Sequence, residues 1–176
     1  SDFTISVRGR TWFSDTYINW KTMKWMNLPT GEVLVGPVET SMQGMLVADL
    51  AVGGIGPLNS PVEVEVVDGK VQSLESKDEG ALQIIRESQA VDEMAKHVGE
   101  FAIGLNPKAR IVKEFLESEK VGNTIHVAFG NNMDYPGEVR NNSANHQDFL
   151  VSKPTVEVTY SSGKSKVIMK NGELVV

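Results

Sequence analysis

Hydrophobic and polar positions alternate along much of the chain, and this alternation predicts strands. Residues 62–66 read Val-Glu-Val-Glu-Val, which is the two-residue period of a half-buried strand. Asp68-Gly69 is typical of a hairpin turn, so residues 70–74 are expected to return as the partner strand. β-Branched residues bounded by glycine or proline predict further strands at residues 33–36, 44–49, 124–129 and 155–160.

A second hairpin is predicted near the end of the sequence. Residues 166–169 and 173–176 flank Asn171-Gly172, a dipeptide that tolerates the positive φ angles of a type I′ turn. The chain is therefore expected to be rich in β-structure.

Apolar residues at helical spacing interrupt the strands twice. Between residues 80 and 98 they recur at i, i+3, i+4 and i+7, which predicts one helix with one buried face. Residues 107–119 begin with Pro107 after Asn106, a good N-cap, and predict a second helix. Because helices fall between strands without regular βαβ alternation, the pattern favours an α+β domain with a mixed or antiparallel sheet.

Composition narrows the functional classes. The 176 residues, of which 40% are hydrophobic, fit a single globular domain spanning residues 1–176. A net charge of -6 argues against nucleic acid as a partner, because a phosphate-binding surface needs clustered lysine and arginine. No apolar run reaches the about 18 residues of a membrane span, and no signal peptide is evident, so we expect a cytoplasmic protein with no membrane partner. The absence of cysteine limits any metal site to oxygen and imidazole ligands.

His146 and Asp148 form the first candidate ligand pair. If residues 146–148 are extended, both side chains project from the same face and converge on one point. Imidazole and carboxylate together bind Zn, Mn, Fe or Co. A surface ion pair is the alternative for this short motif.

His126 is the second candidate, because it lies in an otherwise apolar strand, Thr-Ile-His-Val-Ala-Phe at residues 124–129. A histidine in a buried strand needs a partner, which is a metal or, alternatively, a backbone carbonyl. His97 falls near the end of the first predicted helix, where a cation suits the helix dipole, so we interpret it as structural.

Two glutamates stand out by their context. Glu100 follows Gly99 where the chain leaves the first predicted helix and opens an apolar run, and Glu32 follows Gly31 at the mouth of a predicted strand. Buried glutamate is rare unless it is paired or bound to metal. A solvated surface acid is the alternative for each.

Four motifs in one order carry a family resemblance. They read Asn-Leu-Pro-Thr-Gly-Glu at residues 27–32, Gly-Glu-Phe-Ala-Ile-Gly-Leu-Asn-Pro at 99–107, Thr-Ile-His-Val-Ala-Phe-Gly at 124–130 and His-Gln-Asp at 146–148. Together they resemble the metal-binding C-terminal region of the aminopeptidase T and aminopeptidase S family, and the likeness covers nearly the whole chain. Members of that family have an additional N-terminal domain, to which nothing in this sequence corresponds. Since Ser1-Asp2 also leads at once into a strand pattern, we expect a fragment or processed chain.

The resemblance implies a two-metal aminopeptidase that acts on peptide substrates as a homodimer. Its two divalent ions would be Zn, Co, Mn or Mg, bound by Glu32, Glu100, His126, His146 and Asp148. The family also has a tyrosine seven positions after the histidine of the third motif. Here that position is Met133, and Tyr135 lies two residues further on, so Tyr135 is the candidate for the tyrosine's place.

Three hypotheses about function follow. In a two-metal peptidase, Glu32 or Glu100 would transfer the proton from the attacking water to the leaving amine, and the sequence does not choose between them. A ring-cleaving dioxygenase would instead hold one non-haem iron through His126, His146 and Asp148. A non-catalytic relative would keep the fold and a structural metal.

Overall fold

The computed structural model describes residues 1–17, 21, 27–136 and 140–175, and its strands form three antiparallel sheets. The strands, in chain order, are β1 Asp2–Thr4, β2 Trp12–Asp15, β3 Glu32–Val35, β4 Gln43–Ala48, β5 Ala51–Val52, β6 Gly56–Pro57, β7 Val62–Val67, β8 Lys70–Ser76, β9 Val98–Gly104, β10 Thr124–Gly130, β11 His146–Ser152, β12 Val156–Thr159, β13 Ser165–Lys170 and β14 Glu173–Leu174. The helices are α1 Glu79–Gln89, a short 3-10 helix Glu93–Lys96 and α2 Phe115–Ser118. None of the described helices is long and apolar enough to cross a membrane.

The largest sheet has seven strands in the order β2-β3-β9-β10-β11-β5-β6. A four-stranded sheet has the order β1-β4-β7-β8, and a three-stranded sheet has the order β12-β13-β14. The fold is therefore α+β and rich in antiparallel strands, as predicted.

The central strands of the seven-stranded sheet are buried on both faces. On β9, Phe101 and Ile103 belong to the hydrophobic core, which also contains Leu46 and Val64 of the four-stranded sheet and Ile85 of α1. Because side chains alternate between faces along a strand, the residues between Phe101 and Ile103 point the other way. The two faces thus have different chemistry, one apolar and one containing polar residues.

Both predicted hairpins are present. β7 and β8 pair antiparallel around Asp68, which has the positive φ of 52° expected in the turn. β13 and β14 pair around Asn171, where φ is 50°. Residue 176 of the second predicted hairpin lies outside the described residues. The strands predicted at residues 33–36, 44–49, 124–129 and 155–160 correspond to β3, β4, β10 and β12 within one or two residues.

The helix predicted over residues 80–98 is wrong in its second half. α1 ends at Gln89, and Asp92 then caps the 3-10 helix by accepting a hydrogen bond from Ala95 N. The Asp92 carboxylate also accepts hydrogen bonds from Ser143 and the Ala144 amide, a tertiary contact that apolar spacing does not encode. Residues 98–104 form β9, so Glu100 lies inside a central strand and not at the exit from a helix.

The helix predicted over residues 107–119 is also wrong, because only Phe115–Ser118 is helical. Asn106 does bond the next turn through its side chain, which accepts from Lys108 N and Ala109 N. Further along, the Ser118 hydroxyl bonds both the amide and the carbonyl of Val112. These side-chain bonds replace the helical bonds that the spacing predicted.

Close backbone packing at Gly104 gives a stability prediction. A Cβ at Gly104 would lie 2.0 Å from the Val121 carbonyl oxygen, so Gly104→Ala forces the backbone apart. We expect it to lower the free energy of unfolding by about 2 kcal/mol or more. In the control, Gly80→Ala, the nearest neighbour is the Asp78 Oδ1 atom at 3.4 Å, and helical alanine should raise the free energy of unfolding by about 0.5 kcal/mol. Urea unfolding of both variants tests the opposite signs.

Candidate metal centre

The polar residues of the candidate site occupy one face of the seven-stranded sheet. Ala128 on β10 pairs with Glu100 on one side and with Asp148 on the other. His126 lies two residues before Ala128 and so points to the same face. On the next strands, Glu32 pairs with Gly104, which shares a face with Glu100. The small side chains of residues 102, 104 and 128 leave the space that the larger polar groups fill.

Glu32 is placed by the glycine before it. Gly31 has φ of 136°, and a Cβ there would lie 2.5 Å from the Asn106 Cβ atom. The Asn106 side-chain amide donates to the Thr30 carbonyl at 2.8 Å and fixes the same segment. Gly31 thus allows the chain to enter β3 with the Glu32 side chain 3% exposed.

The five residues predicted as ligands come together. His126 Nε2 lies 3.2 Å from Glu100 Oε1, 3.7 Å from Glu32 Oε2 and 3.8 Å from Asp148 Oδ1. His146 Nε2 lies 3.2 Å from Glu100 Oε2 and 3.6 Å from Asp148 Oδ1. Each of the five side chains thus has an atom within 4 Å of another side chain of the set.

Two groups of three potential ligand atoms emerge from these contacts. Within each group the atoms lie within 4.8 Å of one another, and Glu100 belongs to both groups. The groups are Glu32, Glu100 and His126 on one side and Glu100, His146 and Asp148 on the other. Each group could hold a metal ion, and the two groups share the Glu100 carboxylate.

The His146 ring is oriented by the loop after β10. Its Nδ1 lies 2.7 Å from the Asn131 carbonyl oxygen, which can only accept, so Nδ1 carries the proton. In neutral His146 this leaves the Nε2 lone pair directed at Glu100 and Asp148. Such a backbone partner is typical of histidines that bind metals.

The buried carboxylates and histidines of the site shift one another's pKa values. Burial alone would raise the pKa of Glu100, but hydrogen bonds with His126 and His146 hold it well below its usual range. Burial lowers the pKa of His126, but the hydrogen bond to Glu100 and the charges of Asp148 and Glu32 outweigh it and raise the pKa to about 9. A proton on His126 thus supplies positive charge where these carboxylates need a cation.

Three buried polar atoms at the site have no hydrogen-bond partner within the described part of the chain, and they test whether a metal fits. They are Glu32 Oε2, His126 Nδ1 and Asp148 Oδ1. The two carboxylate oxygens both face His126 Nε2. Unpaired oxygens that converge beside imidazole nitrogens match the ligands of divalent metals, so the residues fit such ions.

Tyr135 reaches the site and Met133 does not. The Tyr135 hydroxyl donates a hydrogen bond to Glu100 Oε2, whereas the Met133 side chain is half exposed. Burial, together with the negative charge of Glu100, raises the pKa of Tyr135, so the phenol stays protonated. The loop that carries it is closed by Asn132 and Asn141, which exchange backbone and side-chain hydrogen bonds.

The sequence did not reveal a buried lysine beside the site. Lys120 is 0% exposed, and its Nζ forms ion pairs with Glu32 Oε1 and Glu119 Oε1. Burial, with Asp148 nearby, raises the pKa of Glu119 to about 7 although Lys120 opposes the rise. Residues 119–123 read as a polar turn, so no local signal could have indicated that Lys120 is buried.

A cavity of about 610 Å³ opens onto the site. Glu32, Glu100, His146 and Tyr135 line it, as do the apolar side chains of Phe13, Leu34, Leu116 and Pro136 and the acids Asp15, Glu119 and Asp134. The cavity therefore offers both the candidate metal centre and an apolar surface to a small ligand.

His97 lies away from the site. Burial lowers the pKa of His97, and the nearby Lys70 lowers it further. His97 caps the C-terminal end of the 3-10 helix and belongs to neither ligand group, and its structural role stays a prediction.

Comparisons with known proteins give one family match and several structures of similar fold. A family model described as thermophilic metalloprotease (M29) matches residues 1–174. No curated protein matches the sequence. Among solved structures, wild-type AmpT from Thermus thermophilus has 22% identity and a TM-score of 0.78, over 99% of this chain and 49% of that chain. A 2,5-dihydroxypyridine dioxygenase from Pseudomonas putida KT2440 has 16% identity and a TM-score of 0.68, over 86% of this chain and 45% of that chain.

This chain thus spans about half the length of both solved structures. At these identities the likeness to them shows the fold alone. The family model describes a metalloprotease, whereas one of the similar structures is a dioxygenase, so function has to be argued from the site.

Replacing Lys120 tests the ion pairs beneath the site. Lys120→Met leaves Glu32 and Glu119 buried without their cation, and we expect a loss of about 3–5 kcal/mol in the free energy of unfolding of the metal-free protein. Lys108 is exposed, so Lys108→Met should change it by no more than about 0.5 kcal/mol. Equal denaturation midpoints for the two variants in the presence of a chelator would contradict the role assigned to Lys120.

Proposed function

The chain belongs to the thermophilic metalloprotease family M29, and we propose on that premise that it forms the catalytic part of an aminopeptidase that removes N-terminal residues from peptides. Family membership implies a divalent metal and peptide substrates. The observation that carries the proposal is the pair of three-ligand groups that share Glu100.

We propose two ions, bound by Glu32, Glu100, His126, His146 and Asp148. The two ligand groups support this number, because each offers three ligands to one ion. The charge of the ligands agrees with it. Glu32, Glu100 and Asp148 carry three negative charges when ionised, so a single divalent cation would leave one of them uncompensated.

Divalent cations held by these residues would polarise the scissile carbonyl and lower the pKa of a bound water toward neutrality. The residues around them bind the peptide, orient it and move the protons. We propose that Tyr135, whose hydroxyl donates to Glu100 in the structure, turns this one proton to the oxygen of the scissile carbonyl once Glu100 holds a metal.

Proton transfer between the water and the leaving amine needs a carboxylate. Glu32 and Glu100 were the candidates from the sequence. In the structure the Glu100 oxygens contact His126, His146 and Tyr135, and Glu32 Oε1 contacts Lys120. Glu119 lines the same cavity and has Lys120 as its partner. We therefore propose Glu119 as a third candidate, with an elevated pKa suited to this task.

A ring-cleaving dioxygenase is the second candidate function. His126, His146 and Asp148 would supply the two histidines and one carboxylate that hold a non-haem iron. The match to a dioxygenase structure makes this chemistry compatible with the fold. The family match favours the peptidase. So does the presence of Glu32 and Glu100 in the ligand groups.

Metal stoichiometry tests the shared carboxylate. We expect two Co or Zn ions per chain in calorimetry for the unmodified protein and one for Glu32→Gln. Glu100→Gln should bind less than one, because both groups lose a ligand. Glu114→Gln, which changes an exposed glutamate, should bind as the unmodified protein does. A Glu100→Gln variant that keeps two tightly bound ions would show that Glu100 does not bridge them.

Activity assays separate the candidate functions. The metal-loaded protein should hydrolyse leucine p-nitroanilide, and Glu100→Ala should lower kcat/KM by at least about 100-fold, since a metal clamp contributes several kcal/mol. Undiminished hydrolysis by Glu100→Ala contradicts the peptidase. Oxygen uptake that depends on Fe(II) would instead support the dioxygenase. A metal that raises the melting temperature without any turnover would indicate the non-catalytic relative.

The homodimer remains a prediction, because it follows from the resemblance alone. Sedimentation or light scattering of the purified chain checks it.

A further inference from the structure

One buried carboxylate in the cavity wall belongs to neither ligand group. Asp15 is the last residue of β2 and pairs with Glu32 on β3, so both side chains face the same side of the sheet. It lines the cavity, but among the described residues it is not part of either three-ligand cluster. Asp15 therefore lies next to the proposed metal centre and outside it.

The Asp15 side chain is buried without a hydrogen-bond partner at one oxygen. Asp15 is 3% exposed, and its Oδ1 atom has no hydrogen-bond partner among the residues that the structure describes. Burial raises the pKa of this carboxyl, and the charge of Lys120 opposes the rise only in part. The ion pairs of Lys120 go to Glu32 and Glu119. An acid in this state is unfavourable unless a ligand completes its contacts.

Within the fold, Asp15 is held by hydrogen bonds of its backbone and not by its side-chain charge. Its carbonyl oxygen accepts hydrogen bonds from Gly31 N at 2.7 Å and from the Thr30 hydroxyl at 2.9 Å. These bonds, like the pairing with Glu32, can form with any side chain at position 15. The carboxylate is thus free for a role in binding.

A cation that donates hydrogen bonds would both pair the unpartnered oxygen and offset the buried charge. A primary ammonium group meets both requirements. Phe13 and Leu34 form the next same-face pair along the two strands and also line the cavity, so an apolar surface lies beside the acid. The first residue of a peptide has this combination of an ammonium group and an adjacent side chain.

We propose that Asp15 binds the α-ammonium group of the substrate's first residue and is a specificity-determining residue of the site. This inference rests on the proposed aminopeptidase function and deepens it. A buried acid at this end of the cavity favours peptides with a free amine and disfavours blocked ones, because an acylated nitrogen carries no charge to pair with Asp15.

Equilibrium binding tests the inference without turnover. The probes are the phosphonate analogue of leucine and its N-acetyl derivative, titrated calorimetrically into the metal-loaded protein. The unmodified protein should prefer the free amine by at least 10-fold. Asp15→Asn, which removes the charge at constant size, should lose that preference and bind the acetylated probe unchanged. Asp134→Asn, an exposed acid of the same cavity, should keep the preference.

Two further readouts distinguish binding from a structural role. Metal stoichiometry should be the same in Asp15→Asn, and its melting temperature should be equal or higher, because an unpaired buried charge is gone. With leucine p-nitroanilide, KM should rise by at least 10-fold while kcat falls less. If Asp15→Asn does not fold, Asp15→Ser removes the same charge with a smaller side chain and takes its place.

Several outcomes would overturn the inference. If Asp15→Asn keeps the full preference for the free amine, the amine binds elsewhere, and the aminopeptidase function stands without Asp15. A lower melting temperature with unchanged amine preference makes Asp15 structural. If the loss is confined to the phosphonate analogue of lysine, Asp15 recognises a side-chain ammonium group. If the unmodified protein binds two ions but neither prefers the free amine nor hydrolyses the nitroanilide, the proposed function fails as well.

Discussion

The dominant constraint on this structure is the burial of several carboxylates on one face of a sheet. Glu32, Glu100 and Asp148 are each at most 5% exposed, and their oxygens lie around a single imidazole. Repulsion among them would be prohibitive without cations. Lys120 and protonated histidines supply part of the positive charge, and divalent metal ions are the partners that match the remainder. The fold, the loops and the cavity around this face serve to keep that arrangement in place.

Strand alternation allows the same strands to carry both the core and the site. On β9, Phe101 and Ile103 enter the hydrophobic core, while Glu100 points to the opposite face and lines the cavity. Because the core face is continuous and well packed, a slip by one residue would bury the polar set in the core and expose the apolar set. The register that the core fixes is therefore also the register that aligns Glu100 with Asp148 through Ala128.

Part of this was predictable from the sequence, for identifiable reasons. The two-residue spacing of His146 and Asp148 encodes a shared face, and the apolar strand around His126 encodes burial. The helical spacing over residues 107–119 predicted a helix that does not form over most of that range, because the Ser118 side chain bonds the backbone of Val112 in place of helical hydrogen bonds. Lys120 and Asp15 had no local signal. Lys120 is buried by Glu32, 88 residues away in the sequence, and such pairings appear only when the strands are assembled.

Lys120 and Asp15 differ in their partners, and this difference indicates that one residue stabilises the fold whereas the other is available to bind a ligand. Lys120 has two carboxylate partners, so it stabilises the acids that the fold already contains. Asp15, on the edge strand β2, has an oxygen without a partner among the described residues, although the same lysine is near. A sequence selected for stability alone would have neutralised position 15 or given it a partner. An acid that remains unpaired beside an apolar wall and a candidate metal centre is better explained by a cation that arrives with the substrate and leaves with the product.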